Sequence, residues 1–508
     1  MTYFKYIFFL VINFTFCFGI SLSYLNSKDS IDKKAILIPD YHNNKSKFDF
    51  EYLGKSRKVF YHSNIDYLNK NKAIRLSFSP YFNHSKIKFK IDLEHFLNLE
   101  ESSLLINDWS PIGIIEKIDY LELQLFDERL NLFLGEISDL TFGHGYLLNK
   151  YGNNYNYPID KNVGIKLKIR NSNNSILYTS FISNLDHFLE SGGLIGNHLS
   201  FLISDSFPIR IGFGHIVDLD QFVSFKNHID KSRQINAFEI DFDFPLFNIL
   251  DRNLLLIGEI SAIKFPETRY YKRVDDSQFT NDKKSRDGVW GLLFPGFKYT
   301  LNQYSVTLGF NYNSSIFSPY YFNNTYDFEK VRYREYNISQ NEQNFFDESE
   351  LLMSFSDDDT GQNIFIPKDL HAMINGYENT YHTYGFTALF ERKINKKGHL
   401  NIGYSYFKEL TNNMIKPLEF NDLLVDFSIN KDFFSIPSEL NFLISKAFFE
   451  SSTISLLEEN LMYGLTLKLN IYRNLFISAE FKDVFYDKDF DGDIDKISYI
   501  NTGLKLKF

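Results

Sequence analysis

From residue 496 to residue 508 the chain reads Lys-Ile-Ser-Tyr-Ile-Asn-Thr-Gly-Leu-Lys-Leu-Lys-Phe. Counting back from Phe508, the apolar positions are Leu506, Leu504 and, past Thr502, Ile500. Between them stand Lys507, Lys505, Gly503 and Asn501. A period of two places one set on each face of a strand. The same alternation recurs upstream. Ile87, Phe89, Ile91 and Leu93 interleave with Lys88, Lys90 and Asp92, and Phe238, Ile240, Phe242 and Phe244 with Glu239, Asp241 and Asp243. Val163 to Arg170, Tyr304 to Tyr312, Leu400 to Tyr406 and Leu465 to Ile471 follow suit. A helix would scatter these side chains around its circumference.

The amino end has the form of an export signal. Met1 to Ser23 carries one cation, Lys5, then an apolar run from Tyr6 to Phe18, then Gly19, Ser21 and Ser23. Such a leader is expected to be removed, because it falls short of the ~20 apolar residues a membrane helix needs. Cys17, the single cysteine, lies inside it behind Phe16, which argues against a lipidated cysteine. The mature chain then has no thiol and no disulfide. No later segment reaches the ~18 uninterrupted apolar residues of a membrane helix. Mean hydropathy is −0.26 with 44% hydrophobic residues, as alternating two-faced strands would give. Aromatics make up 18% of the chain, which suits interfacial girdles but equally suits a low-GC codon bias. A net charge of −10, with no basic patch interleaved with aromatics, argues against nucleic acid.

The connections carry more information than the strands. Backwards from Phe508 they alternate: long at 487–496, short at 472–474, long at 451–460, moderate at 431–437, long at 411–420, short at 395–398. Segment 314–380 is very long, and 301–303 is tight. The rhythm continues through 265–288, 246–253, 218–234, 205–208, 184–196, 171–174, 138–160, 127–129, 99–116 and 83–85. Short turns on one side and long loops on the other define a membrane meander barrel. The expected fold is therefore all-β: an antiparallel up-and-down transmembrane β-barrel of about 18–20 strands. Its turns would face the periplasm and its loops the exterior. It would span residues 48–508, after a leader at 1–23 and a short periplasmic lead at 24–47. Segment 314–380 is either a surface loop or a lid descending into the lumen, the surface loop being the more ordinary.

Ending on such a strand resembles the C-terminal signal by which bacterial outer-membrane barrels are recognised for assembly. A second resemblance rests on Gly135-Glu-Ile-Ser-Asp-Leu-Thr-Phe-Gly-His-Gly-Tyr146, with Asn153, Asn154, Pro158 and Val163-Gly164 after it. This stretch and Asp218 to Phe222 are similar to a family of porin-like spirochaetal outer-membrane barrels, over roughly a quarter of the chain from Leu121 to Phe244. The resemblance implies an outer-membrane location, outer-membrane lipid and the barrel-assembly machinery as partners, and no reaction.

Two constellations could carry chemistry. Asp487-Lys-Asp489-Phe-Asp491-Gly492-Asp493-Ile-Asp495 matches the first half of a calcium loop, with Ser498 where an EF-hand has its bidentate Glu. The ordinary alternative is a solvated hairpin tip. Gly143-His144-Gly145-Tyr146 and Asp218-Leu-Asp220 invite a functional reading with His144, Asp218 and Asp220 at a constriction, against the ordinary one of a packed rim loop and a polar turn. No G-x-S-x-G or H-E-x-x-H spacing occurs, so no enzyme is expected. At about 18–20 strands side chains no longer fill the interior, and the expected activity is passive diffusion of small hydrophilic solutes. A surface adhesin or ligand-binding barrel acting through acidic loops is the alternative. The inward set mixes Lys88, Lys90, Lys166, Lys168, Arg170, Lys468, Lys505 and Lys507 with Glu122, Glu239, Asp241, Asp243 and Glu480, which leaves ion preference open. A homo-oligomer is suggested only by analogy with trimeric porins.

Overall fold

The alternating segments are strands, and they belong to one sheet. The computed structural model describes residues 59–507 except for parts of the connections, among them 99–102, 106–112, 154–161, 226–231, 337–343, 347–351, 356–361, 369–381, 411–418, 450–460 and 487–494. The leader at 1–23 and the lead at 24–47 lie outside the described residues, as do Asp487, Asp489, Asp491 and Asp493. Asp495 opens the last strand, opposite Tyr486.

Twenty-two strand segments pair antiparallel in a single sheet. Two crossings of the wall are each built of two segments. Ile87–Ile91 continues as Leu93–Asn98, and Ser103–Leu105 shares a line with Ile118–Leu125. Twenty crossings result. The last strand, Asp495–Lys507, pairs with Leu475–Tyr486 on one side and with the first strand, Val59–Leu68, on the other. His62 stands opposite Lys507 and Leu68 opposite Asn501. The ring is closed, and antiparallel closure requires an even number of crossings.

Connections at one end are tight, such as 302–303 and 171–175, and those at the other are long, such as 136–163, 183–193, 219–234, 265–288 and 314–382. Three connections differ from the sequence reading. Segment 99–116 is not one long loop, because Ser103–Leu105 resumes pairing with Phe96–Asn98. Around Pro245 the strand Ile235–Ile249 continues to Ile249, since a bulge between Pro245 and Phe247 absorbs the missing donor. Likewise Glu419–Phe433 runs on to Phe433, with Pro437 near the start of Ile436–Phe449. Segment 314–382 also contains strands outside the barrel: Val331–Tyr336, Leu352–Phe355 and Gln362–Pro367 pair with one another. Asn344–Phe346 pairs with Thr268–Asp275.

The two faces of the wall are inverted relative to a water-soluble protein. On Tyr304–Asn313, Val306, Leu308 and Phe310 point outward, with Leu308 51% and Phe310 58% exposed. Ser305, Asn311 and Asn313 on the same strand are buried. On Ile235–Ile249, Phe238 and Ile240 face out while Glu239 and Asp241 are buried inside. Leu199, Phe213, Ile260, Phe297, Phe386, Ile402, Leu465, Ile477 and Leu504 extend the outer apolar belt around the ring. Water would penalise that belt; hydrocarbon does not. No helix among the described residues is long and apolar enough to cross a membrane, so crossing falls to the strands. Leu308→Arg should therefore cost about 2–4 kcal/mol in bilayer-refolded protein, as lipid-facing Arg does near the midplane. Thr307→Arg, one residue away on the lumen side, should cost far less in the same urea titrations. Equal losses would refute the facing.

Candidate functional site

The strand Leu130–Gly135 does not lead into a rim loop. The chain from Ile137 to Tyr151 turns inward and packs as the barrel's apolar core: Ile137, Leu140, Phe142, Tyr146, Leu147, Leu148 and Tyr151 are all buried. Leu140 and Tyr151 exchange backbone hydrogen bonds of 3.0 and 2.9 Å, closing the loop on itself. Its tip docks on Glu259, halfway along Arg252–Lys264. The backbone N–H of His144 donates to Glu259 Oε2 at 2.8 Å, that of Tyr146 to Oε2 at 3.2 Å, and that of Leu147 to Oε1 at 3.2 Å. The Ser261 hydroxyl donates to Oε1 at 3.0 Å. Successive N–H groups converging on one carboxylate make an anion nest. Gly143 and Gly145, at φ +50° and +81°, permit that curl, and a Cβ on Gly143 would meet Glu259 Oε2 at 2.9 Å.

A second segment locks the first. The Tyr320 N–H donates to the Tyr146 carbonyl at 2.8 Å, Phe322 N–H to the Leu147 carbonyl at 3.1 Å, and Asn149 N–H to the Phe322 carbonyl at 3.0 Å. The Tyr146 ring stacks on Phe317 at 5.5 Å, and its hydroxyl donates to Asn313. Tyr320 sends its hydroxyl to Thr387 and Ser405, 3.0 and 3.2 Å away, on the inner faces of Thr383–Lys393 and Gly398–Glu409. The opening part of segment 314–380 thus descends into the barrel. The surface-loop reading fails for residues 317–330, which carry apolar rings (Phe317, Tyr321, Phe322 and Tyr326) that the interior buries.

The reach of the loop decides its effect. It leaves the fifth crossing of the ring, and Lys150 places its ammonium 3.9 Å from Asp426 on the sixteenth. Asp426 is held by His399 Nε2 and Asn401 Nδ2, each at 3.0 Å. In a ring of twenty, those crossings lie on nearly opposite walls. The loop spans the lumen.

His144 lies in the spanning loop; its Nε2 donates to the Phe242 carbonyl at 3.0 Å and stands 3.4 Å from Asp243. Asp218 and Asp220 lie elsewhere, as clips of the long-loop end. Asp218 accepts from the Tyr326 hydroxyl at 2.7 Å, and Asp220 Oδ1 from the Phe222 and Arg233 N–H groups at 3.0 Å each. Both are buried, and the hydrogen bonds just named involve neither His144 nor its partners Phe242 and Asp243. Glu259, Tyr320, Asp426 and His198 escaped the sequence reading. Glu259 left a signal, as the lone charge between Arg252 and Lys264.

The same end holds a titrating group. His187, in the short helix Leu185–Leu189, is depressed to about 4 by burial and then by the Lys330 ammonium, against the pull of Asp327. Lys330 is itself raised: burial would lower it, but Asp327 and Asp218 outweigh that. Unfolded His187 takes a proton near 6.5, so its contribution to stability is whole above that pH and fades as pH falls toward 4. The loss is at most about 3 kcal/mol by linkage. Proteolytic cutting within 183–193 should accelerate between pH 6.5 and pH 4, and His187→Gln should flatten that dependence.

A closed antiparallel ring with an apolar outside and a polar inside is an outer-membrane β-barrel. No family model matches the chain, and no curated protein does either. Among solved structures, the outer membrane protein OprD from Pseudomonas aeruginosa aligns with 89% of this chain and 94% of its own at 8% identity, TM-score 0.33. The FrpB iron transporter from Neisseria meningitidis aligns over 90% and 82% at 9% identity, TM-score 0.36. OccK5 (OpdH) from Pseudomonas aeruginosa aligns over 89% and 97% at 8% identity, TM-score 0.33. The barrel assignment rests on the strand pairing above.

Proposed function

We infer that the chain is a porin-like outer-membrane channel passing small hydrophilic solutes by diffusion. One observation carries this reading: a twenty-crossing ring, wide enough for an aqueous lumen, is narrowed by an inward loop anchored on Glu259 and reaching Asp426. Water-filled passage must then run between that loop and the walls bearing Lys88–Glu122 and Lys90–Asp119, ion pairs at 2.9 Å each. Their mixed charge favours sieving by size over strong ion preference. The final strand would be the element offered to the assembly machinery.

Planar-bilayer recording on the refolded chain tests the reading. Discrete, ohmic opening steps support it; a membrane-inserted barrel without steps overturns it. In that event the three-stranded sheet of Val331–Tyr336, Leu352–Phe355 and Gln362–Pro367 favours a ligand-binding surface barrel instead.

A further inference from the structure

Three strands bring acids and an imidazole to one point on the inner wall. His198 lies on Leu194–Leu202, Glu239 and Asp241 on Ile235–Ile249. Between those strands runs Arg210–Asp218, whose inward residues at this level are Gly212 and Gly214. Gly214 stands opposite both His198 and Glu239, and Gly212 opposite Asp241. A Cβ on Gly214 would meet Glu239 Cγ at 2.4 Å, and one on Gly212 would meet Asp241 Oδ2 at 2.1 Å. Without those side chains, His198 reaches over the intervening strand. Its Nε2 stands 2.7 Å from Asp241 Oδ2 and 3.8 Å from Glu239 Oε1. The three donor atoms all lie within 4.8 Å of one another. Phe142 of the spanning loop stacks on the imidazole at 5.3 Å.

Glu239 is the independent clue. Its side chain has 0% exposure, and its carboxylate oxygens accept no hydrogen bond from an N–H or hydroxyl donor among the described residues; they face the Glu259 carboxyl and, at 3.8 Å, the His198 imidazole. Burying a carboxylate in such surroundings costs several kcal/mol. Its neighbours Asp241 and Glu259 add repulsion, and Glu259 is already committed to three N–H groups and Ser261. Arg210, the cation on the strand between, hydrogen-bonds Ser200 Oγ at 3.3 Å and the Asn174 carbonyl at 2.8 Å, and it attracts Asp243 and Asp241 through space. The cluster is built to receive positive charge.

We propose that His198, Glu239 and Asp241 bind one divalent first-row metal ion, Zn²⁺ or Mn²⁺. One imidazole nitrogen with two carboxylates suits that class, whereas Ca²⁺ prefers six to eight oxygens. The ion draws the three donors together across the glycine strand, directly behind the loop tip. This assignment holds whether or not the lumen conducts.

The test uses the full chain without an affinity tag, refolded in detergent, stripped with EDTA and dialysed against micromolar Zn²⁺ or Mn²⁺. Elemental analysis should find one ion per chain, with a raised unfolding temperature. His198→Ala and Glu239→Gln each remove a ligand, so binding should weaken by more than the roughly 10–100-fold of an outer-shell change, or vanish. Co²⁺ added to the unmutated protein should give a visible absorption band for mixed nitrogen and oxygen ligands, a readout that needs no variant to fold. Unmutated protein that retains neither ion, or folded variants that bind as tightly as it does, would overturn the proposal. Displacement of the ion by equimolar Ca²⁺ would overturn the metal class.

Discussion

Replacing residues 138–151 by a short Gly-Ser turn should raise single-channel conductance several-fold. The replaced stretch contributes Leu140, Phe142, Tyr146, Leu147, Leu148 and Tyr151 to the ring's apolar core and runs from the fifth crossing to Asp426 on the sixteenth. Ion flow through a wide barrel is set by its narrowest section, which on the proposed reading this loop occupies. The barrel should still form, because its wall is closed by strand pairing that the loop does not supply. Heat-modifiable migration on gels and β-type circular dichroism confirm assembly before recording. An unchanged conductance in an assembled barrel would mean the loop lies beside the conducting path.

Glu259→Ala should loosen the same loop without removing it. Three backbone donors, two of them fully buried, and the Ser261 hydroxyl lose their acceptor at once. Each unsatisfied buried donor costs about 1–3 kcal/mol, and water entering the gap recovers part, so the net loss is about 2–4 kcal/mol. Channel noise and protease cutting near Gly143 should both rise. Glu259→Gln keeps an acceptor oxygen and removes one charge from beside Glu239 and Asp241, so it should lose much less. If Ala and Gln variants behave alike, the hydrogen bonds are not what holds the tip.

The wall was readable in the residues themselves because it depends on a local rule. Leu308 and Phe310 outside, Ser305 and Asn311 inside, follow from a period of two, and turns announce themselves by their length and composition. The interior obeys no local rule. Glu259 meets His144 from 115 residues away, and Lys150 meets Asp426 across the ring. Gly-His-Gly at 143–145 shows a tight bend but not the side to which it bends. The ordinary expectation for a polar insertion is the surface, and it fails for 317–330 because Phe317, Phe322 and Tyr326 need dry partners, which the inward loop and apolar wall residues such as Phe265 and Leu293 supply. The cluster at His198 was hidden differently. Gly212-Phe-Gly214 and Glu239-Ile-Asp241 look like unremarkable strand text until pairing sets them side by side.

The pairing of Val59–Leu68 with Asp495–Lys507 means that the earliest wall segment finishes its hydrogen bonding only with the very last. Every ribosomal stop, frameshift or protease nick that removes the carboxyl end leaves two ragged backbone rims, and hydrocarbon cannot solvate either. Such fragments have no stable residence in lipid. Only a chain that keeps Asp495–Lys507 can seal its own ring.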